Sequence, residues 1–178
     1  MYTYKIVRDL DAEDPRKNYS HMGTMVCWHR EYKLGDQQPK VSPEDYIEAV
    51  WGSKKRFERE AFHLPLYLYD HSGITMATTP FSCPWDSGQV GFIWVSKSRV
   101  REEYDVSRIT KALENRVHSI LTAEVGDYDQ WLRGEVCGWE VYDEAGDVVD
   151  SCWGYYDLEL AKEEALAVVD SLTKEKLP

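Results

Sequence analysis

Four side chains capable of chemistry lie close together in the middle of the chain. Asp70 and His71 stand at a predicted hairpin turn, and Cys83 and Asp86 lie in the loop PFSCPWDSG, residues 80–88. A thiol beside an imidazole forms a nucleophile pair, and Cys, His and Asp side chains are zinc ligands. Their spacing matches no zinc pattern, and a loop of this composition equally suits a structural turn. A small hydrolase or metal-dependent enzyme centred on these four residues therefore stays an alternative.

The chain contains none of the common catalytic or cofactor signatures. The sequence contains no phosphate-binding loop, dinucleotide-binding fingerprint, zinc-protease HExxH motif or serine-hydrolase GxSxG motif. We therefore assign no catalytic residue, and we expect neither a metal nor a cofactor.

Acidic side chains are concentrated in the C-terminal third of the chain. Residues 1–120 carry 17 acidic and 17 basic side chains, whereas residues 121–170 carry 14 acidic side chains against Arg133 and Lys162. This concentration of negative charge would repel nucleic-acid phosphates and attract basic protein surfaces. The candidate partner-binding residues are Asp143, Glu144, Asp147, Asp150, Glu159, Glu163 and Glu164.

These carboxylates predict a particular kind of partner. Rigid elements that hold acids at the charge density of a duplex, about one charge per 1.7 Å of axis, would occupy the nucleic-acid site of an enzyme. The expected partner is a host protein with a basic surface, such as a nuclease or a nucleic-acid-binding complex. A simpler interpretation, in which the acids only keep the protein soluble, remains open.

The elements around residues 70–86 are predicted to be strands. Leu64, Leu66 and Leu68 are predicted to share one face, and Tyr67 and Tyr69 the other. A three-residue loop over 71–73 would pair Leu68 with Met76. Residues 89–95 are apolar on both faces, which indicates a strand in the interior of a sheet.

The acidic residues fall on a second predicted hairpin. A three-residue loop over 144–146 would pair Val141 with Val149 and Cys137 with Trp153. We prefer this register because a one-residue slip would move the apolar set to the other face. The predicted buried face consists of Cys137, Trp139, Val141, Val149 and Trp153.

Three main helices are predicted. Ser42 and Pro43 suit a helix start, a second helix begins at Asp105 and is stopped by Gly126, and Asp157 caps the last one. The buried stripe of the last helix is expected to be Leu158, Ala161, Ala165, Val168 and Leu172.

Together these elements predict an α+β fold. We expect a single domain over residues 1–178, with a mainly antiparallel, hairpin-built sheet packed against about three helices. In this arrangement the acidic hairpin–helix unit 133–172 packs on the 64–97 sheet. Neither a membrane-spanning run nor a secretion signal is evident, so a cytoplasmic location without a membrane partner is expected.

Two segments resemble a family of small acidic proteins of bacterial and archaeal viruses and prophages. They are YLYDHSGITMATTPFSCPWDSGQVGFIWVSK, residues 67–97, and GEVCGWEVYDEAGDVVDSCWGYYD, residues 134–157. No activity is assigned to that family, so the resemblance implies a context: small acidic viral proteins bind and disable host defence complexes. The sequence as a whole favours a non-enzymatic, anti-defence binding protein over an enzyme. A structural or accessory viral protein is the remaining alternative.

Overall fold

The structure, a computed structural model, describes residues 1–175 and divides the chain into two compact units. The first unit combines Met1–Glu13 with the chain from Gln130 onward, and the second is Asp14–Asp129. The elements within residues 1–175 are, in chain order, β1 Thr3–Arg8, α1 Pro15–Asn18, β2 Thr24–Cys27, α2 Pro43–Trp51, α3 Lys54–Glu60, β3 Ala61–Asp70, β4 Ile74–Ala77, β5 Ser87–Ser96, α4 Lys97–Glu103, α5 Lys111–Leu132, β6 Cys137–Tyr142, β7 Val148–Tyr155 and α6 Leu158–Glu175.

The α+β class with antiparallel strand pairing is confirmed. The strands form a three-stranded sheet in the order β1-β6-β7 and a four-stranded sheet in the order β2-β5-β3-β4. The strands lie in two sheets rather than one, because β1 pairs with β6, and six helices rather than about three lie within residues 1–175. The predicted packing of residues 133–172 on the 64–97 sheet stays a prediction.

In the first unit, α6 covers one face of the three-stranded sheet. Tyr4 pairs with Val141 and Ile6 pairs with Trp139, so that alternate residues of β1 and β6 face the helix. The fully or almost fully buried residues of this core are Cys137, Trp139, Val141, Ala161 and Ala165. The small alanines let α6 approach the sheet closely. Leu158, predicted to be buried on the same stripe, is instead 47% exposed.

The second hairpin has the predicted loop but a different register. The backbone N–H of Asp143 donates to the carbonyl of Asp147 at 3.0 Å, as a three-residue loop requires. Tyr142 then pairs with Val148 while Val141 pairs with Asp150, so Val149 is an extra residue in β7. A second irregularity follows, because Cys137 pairs with Tyr155 while Trp139 pairs with Cys152. These bulges overturn the predicted pairing and leave Val149 and Trp153 exposed.

The second unit contains the hairpin predicted around residues 71–73. Leu68 pairs with Met76, as expected, and β5 lies between β2 and β3 in the interior of the four-stranded sheet. Aromatic side chains of α2, α3 and β5 share one core with this sheet. Its buried members are Val26, Tyr46, Trp51, Phe57, Ala61 and Phe92.

The predicted helix start at Ser42 is confirmed, whereas both predicted ends of the middle helix are wrong. The Ser42 hydroxyl accepts the Asp45 N–H at 3.1 Å at the start of α2, as predicted. The helix predicted to begin at Asp105 and to stop at Gly126 instead begins at Lys111 and continues through Gly126 to Leu132. Asp105 adopts φ +48°, which lies outside the right-handed helical region. Within residues 1–175, no helix has both the length and the apolar character needed to cross a bilayer.

Candidate functional site

Asp86 is the centre of the first candidate site, in the second unit. Its Oδ2 accepts a hydrogen bond from the Cys83 thiol at 3.5 Å and lies 3.4 Å from His71 Nδ1. The Asp86 carbonyl also accepts the Asp70 N–H at 2.8 Å, which fastens the loop to the end of β3. The four residues thus share one neighbourhood.

The geometry of this cluster differs from that of a Cys–His nucleophile pair. The Cys83 thiol contacts a carboxylate, and a carboxylate lacks the positive charge that would stabilise a thiolate. Within residues 1–175, no group of three or more His, Cys, Asp or Glu side chains is arranged to hold a metal ion. The hydrogen bonds of the cluster instead hold the loop that carries Trp85, and Trp85 is 91% exposed.

A second charged cluster in the same unit is buried and was not predicted. The Arg16 side chain, 2% exposed, donates from Nε and Nη2 to both Asp36 carboxylate oxygens and from Nη1 to Glu124 Oε2 at 3.0 Å. Burial opposes the charge, but the hydrogen bonds and charges of Asp36 and Glu124 raise the pKa of Arg16 above its usual value. The carboxylates also accept backbone N–H groups, Asp36 from Met25 and Glu124 from residues 22 and 23. This network joins α1, β2 and α5.

The acidic residues of the hairpin lie in the first unit and are of two kinds. Asp143 Oδ1 accepts the N–H groups of residues 145 and 147, and Glu144 contacts the Met1 ammonium. Asp150 accepts its neighbour's N–H at 2.8 Å. Asp147 is exposed, and its carboxylate has no partner within residues 1–175. Asp143 therefore helps to form the turn and Glu144 pairs with the Met1 ammonium, whereas Asp147 is open to solvent.

The acidic residues of α6 differ in the same way. Glu159 pairs with Lys162 at 2.7 Å, one helical turn away. Glu164 accepts a hydrogen bond from the Tyr155 phenol, and burial, Cys152 and Glu164 all raise the pKa of that phenol. Among residues 1–175, the Glu163 carboxylate has no partner, and it lies on the side of α6 opposite the buried alanines.

Large apolar side chains are exposed on the same two elements. On β7 they include Trp153, 44% exposed, which lies across Gly138 on the sheet face away from α6. A Cβ at Gly138 would come within 2.4 Å of the Trp153 ring, so the glycine provides the space for the indole. The exposed set on these elements consists of Val148, Val149, Trp153, Leu158, Leu160 and Leu166.

The surface of β7, its turn and α6 thus combines carboxylates with exposed apolar side chains, and only its carboxylates were predicted. The seven carboxylates follow from composition, but Val149, Trp153 and Leu158 were assigned to the core. Gly154, with φ +85°, is the one local signal of the bulge that turns Trp153 outward. No sequence pattern predicted the Arg16 network, because Arg16 lies in a polar segment that resembles an exposed loop.

The comparisons with known proteins add no assignment. No protein-family model, curated protein or solved structure matches this chain.

Proposed function

We propose that the protein is a non-enzymatic binding protein of a virus or mobile element. It acts in the host cytoplasm, where the surface formed by β7, its turn and α6 engages a basic surface of a host protein. Charge supports this proposal, because the first unit carries 15 acidic and six basic side chains, a net of −9. The second unit carries 17 acidic and 15 basic side chains.

The observation that carries the proposal is the mixture of acids and exposed apolar groups on two neighbouring elements. Carboxylates that only keep a protein soluble need no apolar neighbours. Protein interfaces, in contrast, combine apolar and aromatic anchors with polar residues. Trp153 is such an anchor, because it is exposed on the same hairpin as Asp147.

A nuclease or another nucleic-acid-binding complex is the partner that fits this surface best. Its phosphate-binding groove presents Lys and Arg side chains, which the open carboxylates would pair with. The protein itself does not bind nucleic acid through this surface, because phosphates and carboxylates repel each other.

Charge reversal at the two open acids tests the proposal. Asp147→Lys with Glu163→Lys changes the net charge by +4 and leaves the turn and helix contacts of the other five acids intact. In capture from host-cell extract, we expect this variant to lose the partner that wild type retains. Duplex DNA added to the wild-type complex should displace that partner.

The matched control makes the same change of net charge in the second unit. Glu102→Lys with Glu103→Lys alters two exposed acids at the end of α4. Retention of the partner by both variants, or loss by both, would show that the surface of the first unit is not responsible.

A second candidate function is a small hydrolase centred on Asp70, His71, Cys83 and Asp86. The specific observation in its favour is the convergence of the thiol and the imidazole on Asp86. Cys83→Ser and His71→Ala, together with metal analysis of the purified protein, test it. A bound metal, or a hydrolytic activity lost in both variants, would favour the enzyme, whereas unchanged host-protein binding by both variants would favour the binding protein. An accessory structural role would instead be indicated by incorporation into virus particles.

A further inference from the structure

A cleft of about 550 Å³ lies in the first unit, where β1 ends and α6 begins. Its volume is within the range of roughly 300–1,000 Å³ that is usual for small-molecule sites. The seven carboxylates of the proposed partner surface are absent from its described lining. The residues important for its chemistry are Arg8, Arg133, Glu135, Val136, Tyr156 and Leu158.

The Arg8 guanidinium is held in place by the turn between α5 and β6. Its Nη2 donates to the carbonyl of Arg133 at 2.8 Å. Gly134 adopts φ +60°, and a Cβ on this residue would come within 2.2 Å of the same nitrogen. The glycine thus gives the guanidinium its space, and the fixed position reduces the entropy lost when Arg8 binds a ligand.

The Arg8 guanidinium has no carboxylate at ion-pair distance among the described residues, although the unit is acidic. Arg133 pairs with Glu135, whereas Arg8 forms no ion pair within residues 1–175. The nearby carboxylates of Asp9 and Asp157 each accept backbone N–H groups of the turns that follow them. A guanidinium with free N–H groups matches the two oxygens of a carboxylate or phosphate.

The other side of the cleft is apolar. Leu158 continues the buried stripe of α6 toward its first turn, yet it is 47% exposed because it lies at the cleft. Tyr156 is half-buried beside it, and Val136 is buried at the base. An apolar group lying here would cover the exposed leucine and gain its burial free energy.

We propose that this cleft binds a small molecule that carries a carboxylate or phosphate on an apolar body. The anionic group receives hydrogen bonds from Arg8, and the apolar body packs on Leu158 and Tyr156. This site shares Leu158 with the surface proposed for the host protein, but it contains none of the seven carboxylates of that surface.

Titration calorimetry with three probes of equal chain length tests the site. Hexanoate and hexyl phosphate carry the two anionic groups, and hexan-1-ol carries neither. For wild type we expect saturable binding of at least one anion with a Kd of about 1 mM, and weaker binding of the alcohol. The anion that binds more tightly identifies the group that the cleft prefers.

Two variants and one control separate this site from nonspecific binding. Arg8→Ala should weaken anion binding about tenfold or more, and Leu158→Asn should weaken binding without changing the preference for an anion. Arg30→Ala, at an exposed arginine of the second unit, should bind as wild type does. Circular dichroism establishes that each variant is folded. Absence of saturable anion binding to wild type, or equal binding by folded Arg8→Ala, would overturn the proposal.

Discussion

At the scale of single residues, Arg16 in the second unit buries a charged guanidinium, which is costly unless carboxylates and hydrogen bonds compensate for the lost water. Its donors face Asp36, Glu124 and the carbonyl of Gly23, at 2.7 Å in the last case. A charge removed from water in this way is tolerated because each neighbouring oxygen replaces a lost hydrogen bond with water. Removal of one member leaves the others buried without a counter-charge.

Arg16→Ala is therefore expected to lower the free energy of unfolding by about 3–5 kcal/mol. Urea denaturation followed by circular dichroism measures the change. Lys54→Ala is the control, because its pair with Glu58 spans 3.9 Å and both side chains are largely exposed. That variant should change stability by less than about 1 kcal/mol. Equal effects of the two substitutions would contradict the role given to the buried network.

His63 gives the second unit a pH dependence of known sign. Burial lowers the pKa of His63 below 6.5, with His118 acting in the same direction and Glu58 opposing it. The unfolded chain therefore binds a proton more readily than the folded chain as the pH falls below 6.5. The resulting stability is fully present above this pH and is lost as the pH falls through the folded pKa.

The difference between wild type and His63→Gln isolates this contribution, since all other titrating groups are common to both proteins. We expect the unfolding free energy of wild type to fall more steeply below pH 6.5 than that of the variant. Urea titrations between pH 5 and pH 8 provide the measurement, and parallel pH profiles would refute the assignment.

At the scale of elements, local chemistry was predictable where a single residue determines it. Ser42 begins α2 through its own hydroxyl, and the turn around residues 71–73 determines the pairing of Leu68 with Met76. The second hairpin was not predictable to the same degree, because its bulges depend on contacts across the strands. The indole of Trp153 finds its space at Gly138, a residue fifteen positions earlier in the chain.

Two glycine-to-alanine substitutions are expected to have opposite effects. Gly138→Ala would place a methyl group 2.4 Å from the Trp153 ring and 2.6 Å from the Cys152 carbonyl, so it should destabilise the hairpin by about 1–3 kcal/mol. Gly126→Ala meets no atom within 4 Å inside α5 and should stabilise the protein by about 0.5–1 kcal/mol. Urea midpoints measure both changes, and a shift of the same sign in the two variants would contradict these structural reasons.

At the scale of the whole molecule, the chain forms two units whose charges differ strongly. The sequence predicted the regional acidity and the α+β class, because both follow from composition and local pattern. It did not predict that β1 pairs with β6, a strand that is distant in sequence, rather than with a strand that follows it closely. Pairing across about 130 residues is determined by the fit of Tyr4 and Ile6 against the α6 core, and a local pattern does not contain that information.

The salt dependence of binding to the purified partner tests the central claim most directly. A carboxylate surface on a basic groove predicts a Kd that rises steeply between low and physiological salt. Asp147→Lys with Glu163→Lys should raise the Kd at low salt by at least about tenfold and flatten this dependence, while Glu102→Lys with Glu103→Lys should behave as wild type. An affinity and salt slope unchanged by the first pair of substitutions would contradict the account.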